Sequence, residues 1–201
     1  MGVCYTNKIN RKKLICGTLS KEDFRTVYSM LDVPPLDSDC GSLCQSLCCK
    51  EFEPGVGMYL LPGEEQMFSG NETWLTWTFP KARHNGFPSS WKGRVAFIMC
   101  RGECPRDSRP IQCRTFPLMP YLSLDGKLET RVDILSGILI CPLVKYRETY
   151  HLNPKFLKAV QSGWEVLIKD PLIWDLVWQR SRELDEELSS PWLKLIESLE
   201  N

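Results

Sequence analysis

The densest chemistry in this chain lies between Asp39 and Lys50, where Cys40, Cys44, Cys48 and Cys49 stand within the run Asp-Cys-Gly-Ser-Leu-Cys-Gln-Ser-Leu-Cys-Cys-Lys. Read as a helix, the first three fall at i, i+4 and i+8 on one face, with neighbouring Cβ atoms roughly 5–6 Å apart. Cys49 is then turned about 100° away from Cys48. A disulfide needs its Cβ atoms about 3.5–4.5 Å apart, so neighbours on such a face are poorly placed to bond one another. A metal tolerates the wider spacing, since with Zn–S near 2.3 Å tetrahedral thiolates lie roughly 3.8 Å apart. The stretch points to a metal site more than to a disulfide framework.

A second group follows at Cys100, Cys104 and Cys113, and a single later thiol at Cys141; Cys4 and Cys16 stand apart near the N-terminus. Each group sits at a turn or helix start, beside a strand or helix that can aim it at a common centre. Arg101, Arg106, Arg109 and Arg114 crowd the second group, and Lys50 follows the first. Guanidinium groups near a thiolate cluster offset its negative charge and lower the thiol pKa values. On spacing alone a solvated basic loop explains the arginines equally well. The chain has 2 histidines, His84 and His151, neither close to a cysteine group in sequence, so a metal must be held mostly by sulfur.

Positioning these groups takes a folded domain, and 201 residues suffice for one with a helical appendage. The 25 basic and 25 acidic residues balance, and no charged tail argues for nucleic acid. The N-terminus carries no apolar run of signal-peptide type. The longest apolar stretch, Ile134 to Val144, is broken by Ser136, Gly137 and Pro142 and is too short to span a bilayer. The reading is a cytoplasmic protein without a transmembrane segment, in which 10 cysteines serve as ligands or catalytic thiols more than as disulfides.

The expected fold class is α+β: a small cysteine-rich metal-binding domain over residues 1–150, with a few short antiparallel strands and helices, and C-terminal helices over 151–201 packed on it. Ser20 followed by Lys-Glu-Asp reads as a helix start, with Phe24, Val27, Tyr28 and Leu31 at helical spacing. Asp37, Ser38 or Asp39 is the expected cap of a cysteine helix. Strands are expected at 57–61, 74–79 and 94–99, the last delivering the chain to Cys100. The Asp125-Gly126 pair predicts a type I′ hairpin turn between 121–124 and 127–130. Asn153-Pro154, Asp170-Pro171 and Ser190-Pro191 each pair a capping side chain with a first-turn proline, predicting helices near 154–169, 171–188 and 191–200. Leu157, Val160, Trp164, Leu167 and Ile168 form the apolar stripe of the first, and Ile173, Leu176, Val177 and Leu184 that of the second.

On these residues the chain resembles the family of zinc- or iron-chelating CxxCxxCC proteins, some of whose members are labelled flagellin lysine N-methylases. The matching features are Cys44 with Cys48-Cys49, the glutamate-bearing turn Leu60-Leu61-Pro62-Gly63-Glu64-Glu65, and the Cys100/Cys104 pair. The most specific is Arg109-Pro110-x-x-Cys113-Arg114-x-Phe116-Pro117, and Cys141 completes the pattern. The resemblance covers roughly residues 36 to 145. It implies Cys40, Cys44, Cys48, Cys49, Cys100, Cys104, Cys113 and Cys141 as candidate metal ligands. The first group is spaced by three residues where the family has two, which leaves both Cys40 and Cys44 as candidates. These thiols exceed the four that one tetrahedral zinc or one 4Fe–4S cluster takes. Softness favours zinc, iron–sulfur or copper(I) over magnesium or calcium. The first functional expectation is a metal-chelating protein holding zinc or an iron–sulfur cluster. The alternatives are an iron–sulfur or zinc-dependent protein-modifying enzyme, as the N-methylase label implies, and a thiol redox or metal-handling protein. The protein partner or substrate is unidentified.

Overall fold

The computed structural model describes residues 14–38, 40–49, 55, 57–101, 104–134, 137 and 140–189. The N-terminal thirteen residues and the helix expected at 191–200 lie outside this set. The described helices are α1 (Lys21–Met30), α2 (Gly41–Cys44), α3 (Ile111–Thr115), α4 (Pro142–Lys145), α5 (Pro154–Leu167) and α6 (Pro171–Leu188); the strands are β1 (Met58–Tyr59), β2 (Leu75–Thr78), β3 (Phe97–Cys100), β4 (Leu118–Leu122) and β5 (Leu128–Val132). The α+β expectation holds, with two small antiparallel sheets and long C-terminal helices.

Helix α1 begins where the sequence says. The Ser20 hydroxyl accepts from the Asp23 N–H, and the Asp23 carboxylate accepts from the Ser20 N–H in return. Its Phe24, Val27 and Tyr28 face inward, followed by Leu31. They meet Phe156, Val160, Trp164 and Leu167 of α5, Ile173 and Val177 of α6, and Leu61, Ile111, Leu118 and Leu122. Full burial of each such side chain contributes about 1.5–3 kcal/mol. The N-terminal and C-terminal helices therefore share one core. The expected α5 stripe holds at Val160, Trp164 and Leu167, but at its start Phe156 is buried whereas Leu157 is 40 % exposed.

The C-terminal helices start as expected. Asn153 accepts from the Lys155 N–H, and the buried Asp170 accepts from the Leu172 and Ile173 N–H groups. Asp170 also accepts from the Thr18 N–H and hydroxyl, so this cap ties down the chain before α1. Ser181 of α6 joins helix to hairpin. Its hydroxyl donates to the Val177 carbonyl at 2.7 Å and accepts from the Leu122 N–H at 2.8 Å.

In the three-stranded sheet β3 runs between β1 and β2, with Met58 opposite Ile98 and Leu75 opposite Cys100. The sheet thus brings Cys100 to the end of its central strand. In the β4–β5 hairpin Leu118 pairs with Val132 and Leu122 with Leu128. Its turn is not type I′. That turn needs positive φ at both central residues, whereas only Gly126 takes it, at +80°. The loop instead runs from Ser123 to Lys127, closed by the Gly126 N–H to the Ser123 carbonyl.

The largest departure is the cysteine segment. Helix α2 ends at Cys44, because Gln45 (φ 54°) and Ser46 (φ 57°) turn left-handed, and Leu47–Cys49 form a separate 3-10 turn. The thiols do not line one face of one helix. The N-cap of α2 is Cys40, with no side-chain cap, and Asp37 instead accepts from the Asn153 side chain at 3.0 Å.

Candidate metal centre

The centre is built outward from a buried carboxylate. Gly63, at φ +94°, lets the chain turn sharply after Leu61-Pro62 and drives Glu64 and Glu65 inward on a 3-10 turn. Glu64 is fully buried. Its Oε1 accepts from the Tyr28 hydroxyl at 2.9 Å and the Ile111 N–H at 2.7 Å, and its Oε2 from the Leu61 N–H at 2.9 Å. Burial raises its pKa, and these donors oppose the rise. One carboxylate thus locks α1, the Pro-Gly turn and the first residue of α3. Helix α3 is the element that carries Cys113.

Arg114, on the same short helix, folds the preceding loop over it. Its guanidinium donates to the Arg109 carbonyl at 2.8 Å, the Asp107 carbonyl at 2.8 Å and the Arg106 carbonyl at 3.3 Å. The same group lies over the Tyr28 ring, 4.5 Å from its centroid. The Arg-Pro-x-x-Cys-Arg motif therefore has a mechanical reading: its second arginine shapes the loop from which Arg106 and Arg109 approach Cys113.

Cys113, Cys40 and Cys48 open onto one cavity of about 40 Å3, with Arg106, Arg109 and Arg114 around it and Leu31, Val33, Pro35 and Phe116 as apolar walls. Among the described residues no carboxylate lines it, although Asp32 pairs with Arg106 at 3.7 Å. Cys104 is buried and hydrogen-bonds with Cys100. That bond, burial, and the charges of Cys100 and Cys113 push its thiol pKa far up, while nearby Arg109 pulls it down. Cys113 thus shares a cavity with Cys40 and Cys48 and lies near enough to Cys104 for its charge to be felt there.

Cys141 stands apart from both, at the N-cap of α4 and close enough to Cys44 to feel its charge. Burial raises its thiol pKa, against the pull of the Leu143 and Val144 N–H groups. Cys49 lies on the 3-10 turn with Cys48. Cys16 is in a disulfide, so the chain does not carry a wholly reduced set of thiols. Among the described residues no group of three or more His, Cys, Asp or Glu side chains is arranged to hold a metal ion. What the fold brings together is three thiols and three guanidinium groups around a small cavity.

Arg101 makes no part of this cavity. It is exposed, and its N–H donates to the Trp74 carbonyl. Sequence reasoning placed Glu64 in a motif but missed its role as the anchor of α3. The available signal was two carboxylates directly after Leu-Leu-Pro-Gly, where burial of the apolar pair carries the acids inward. A larger pocket, about 320 Å3, lies along Gln112, Thr115, Leu118, Trp164 and Val177, and Phe116 lines both spaces. Among the described residues no helix is long and apolar enough to cross a membrane. Comparison of the chain with models of protein families, with curated proteins and with solved structures finds no match.

Proposed function

We propose that this protein chelates a soft metal, zinc or an iron–sulfur cluster, through cysteine thiolates drawn from the three groups. The observation that carries the reading is the cavity shared by Cys40, Cys48 and Cys113, ringed by Arg106, Arg109 and Arg114. Thiolates bind as anions, and a four-thiolate zinc site carries net negative charge. Three guanidinium groups stand around the thiols, one of them, Arg106, also paired with Asp32 at 3.7 Å, and their net positive charge would offset such a site. Cys100 and Cys104, hydrogen-bonded to one another and near Cys113, would extend the donor set, and Cys44 lies near enough to Cys141 for its charge to be felt there. Ligation would draw the cysteine segment onto α3. Bound metal would supply cross-linking or, for a cluster, one-electron chemistry.

Zinc titration against a chromophoric chelator tests this. The wild-type chain should hold zinc against the chelator, with loss of at least about tenfold in affinity for Cys48→Ser and for Cys113→Ser. Equal retention by both variants would remove the shared-cavity reading. A protein-modifying enzyme is the second reading, because Phe116 lies between the thiol cavity and a pocket large enough for a side chain. It requires a variant at that pocket to lose activity while keeping metal and fold.

A further inference from the structure

A third cavity, of about 680 Å3, opens in the loop between β2 and β3, far from neutral in a chain whose charges cancel. Lys81, Arg83, Lys92 and Arg94 line it without a single carboxylate, and Phe87 and Trp91 form its aromatic wall. Among the described residues none of these four cations enters an ion pair.

The backbone forces the charges together. Lys81 and Arg94 form an antiparallel bridge at the neck of the loop, held by the Ala82 N–H to the Gly93 carbonyl and the Val95 N–H to the Pro80 carbonyl. Residues directly opposite in such a pair project to the same side, and like charges placed so are destabilising. Arg94 relieves part of this by donating to the Phe79 carbonyl at 2.5 Å. Among the described residues nothing comparable serves Arg83 and Lys92, both exposed, and Arg83 donates to His84.

The wall is rigid. Phe87 and Trp91 stack at 4.7 Å and 6°. The Trp91 indole N–H donates to the Leu172 carbonyl at 2.9 Å, and Gln179 donates to the Gly86 carbonyl at 2.9 Å, so α6 fixes the loop from behind. A cavity of this size, lined by four cations and by aromatic side chains, has the chemistry to take a small polyanion that carries a planar ring.

We propose that this loop binds a phosphate-bearing aromatic ligand of the nucleoside polyphosphate class. Phosphates lie among Lys81, Arg83, Lys92 and Arg94, and the ring packs against the half-buried Phe87, which the buried Trp91 backs from behind. The site is independent of the cysteine centre.

Isothermal titration of the full chain with ATP, tripolyphosphate and adenosine tests it. One ATP per chain is expected. Arg83→Ala and Lys92→Ala, both at exposed side chains, each weaken binding about tenfold or more. Lys158→Ala, an exposed lysine on α5, changes nothing. Tripolyphosphate competes, and adenosine alone binds at least about tenfold more weakly than ATP. Absence of saturable ATP binding, or binding indifferent to both loop variants, overturns the proposal. Tripolyphosphate binding as tightly as ATP, with Phe87→Leu neutral, overturns its aromatic half. An oligonucleotide that displaces ATP at lower concentration than ATP itself requires assigns the loop to nucleic acid and overturns the small-ligand reading.

Discussion

Helix α1 and the cysteine segment 40–49 follow one another in the chain and are held in different ways. Helix α1 buries three side chains, closes its N-terminus with a reciprocal cap, and receives a buried carboxylate against its Tyr28. In the cysteine segment α2 buries no residue and has no side-chain cap, Cys48 is exposed, and the backbone passes through two left-handed non-glycine residues. Such conformations cost about 1–3 kcal/mol each and persist only when their surroundings hold them. Burial supplies that hold for α1. For the cysteine segment the comparison points to its thiols. A metal drawing Cys40 and Cys48 to Cys113 would tie an otherwise weakly packed loop to α3, the short helix that the Glu64 network fixes most firmly. Metal loss should then loosen the loop and spare the core.

The strongest way to break the comparison is in the core itself. Phe156→Ala empties the contact between α5 and α1 and should cost about 3–5 kcal/mol in urea unfolding. A loss below about 1 kcal/mol would mean the two ends of the chain do not share a core. Glu64→Ala comes next. It strands the Tyr28 hydroxyl and the Leu61 and Ile111 N–H groups, and should cost about 2–4 kcal/mol. It should also weaken zinc binding, because α3 loses its anchor.

Glu65 sharpens the picture through pH. Burial raises its carboxyl from 4.5 to about 7, with the Gly63 N–H opposing. At pH values below the unfolded pKa both states are protonated and the side chain costs nothing. Between the two pKa values the unfolded chain has released a proton that the folded chain keeps, so stability falls as pH rises, and above the folded pKa the loss is complete. Glu65→Gln should leave stability unchanged near pH ~4 and raise it by on the order of 1–3 kcal/mol near pH ~8. The reverse sign in thermal melts would show that Glu65 is ionised and paired. The smallest effect belongs to the loop: Cys48→Ser in metal-free protein should shift stability by no more than about 0.5 kcal/mol. In metal-loaded protein the same change should abolish the protection of the 40–49 amides from hydrogen exchange.

The long helices were legible because their information is local. Ser20, Asn153 and Asp170 announce their caps, and Phe24, Val27 and Tyr28 repeat at helical spacing. Strand β3 and the hairpin were legible for the same reason, although Gly126 serves a wider turn than Asp-Gly alone suggests. The cysteine segment was not. Its break falls at Gln45 and Ser46, residue types that do not ordinarily signal left-handed backbone, and the even thiol spacing imitates a helix face. Glu64 was hidden because its three donors come from Tyr28, Leu61 and Ile111, which no sequence window contains together. The basic loop was hidden by cancellation, since its four cations vanish in a neutral total. The placement of the thiols at turns and helix starts suggests one common centre, whereas the fold brings Cys40, Cys48 and Cys113 to one cavity and leaves Cys141 apart from it. That Cys113 would meet Cys40 and Cys48 in one cavity while Cys141 stands apart depends on the tertiary path.

The central claim is tested most directly by elemental analysis with an absorption spectrum on protein purified without oxygen. The account predicts stoichiometric metal: zinc in a colourless protein, or iron near ~4 per chain with a broad visible band for a 4Fe–4S cluster. Protein that emerges folded, fully reduced at the clustered thiols and free of any metal would contradict it.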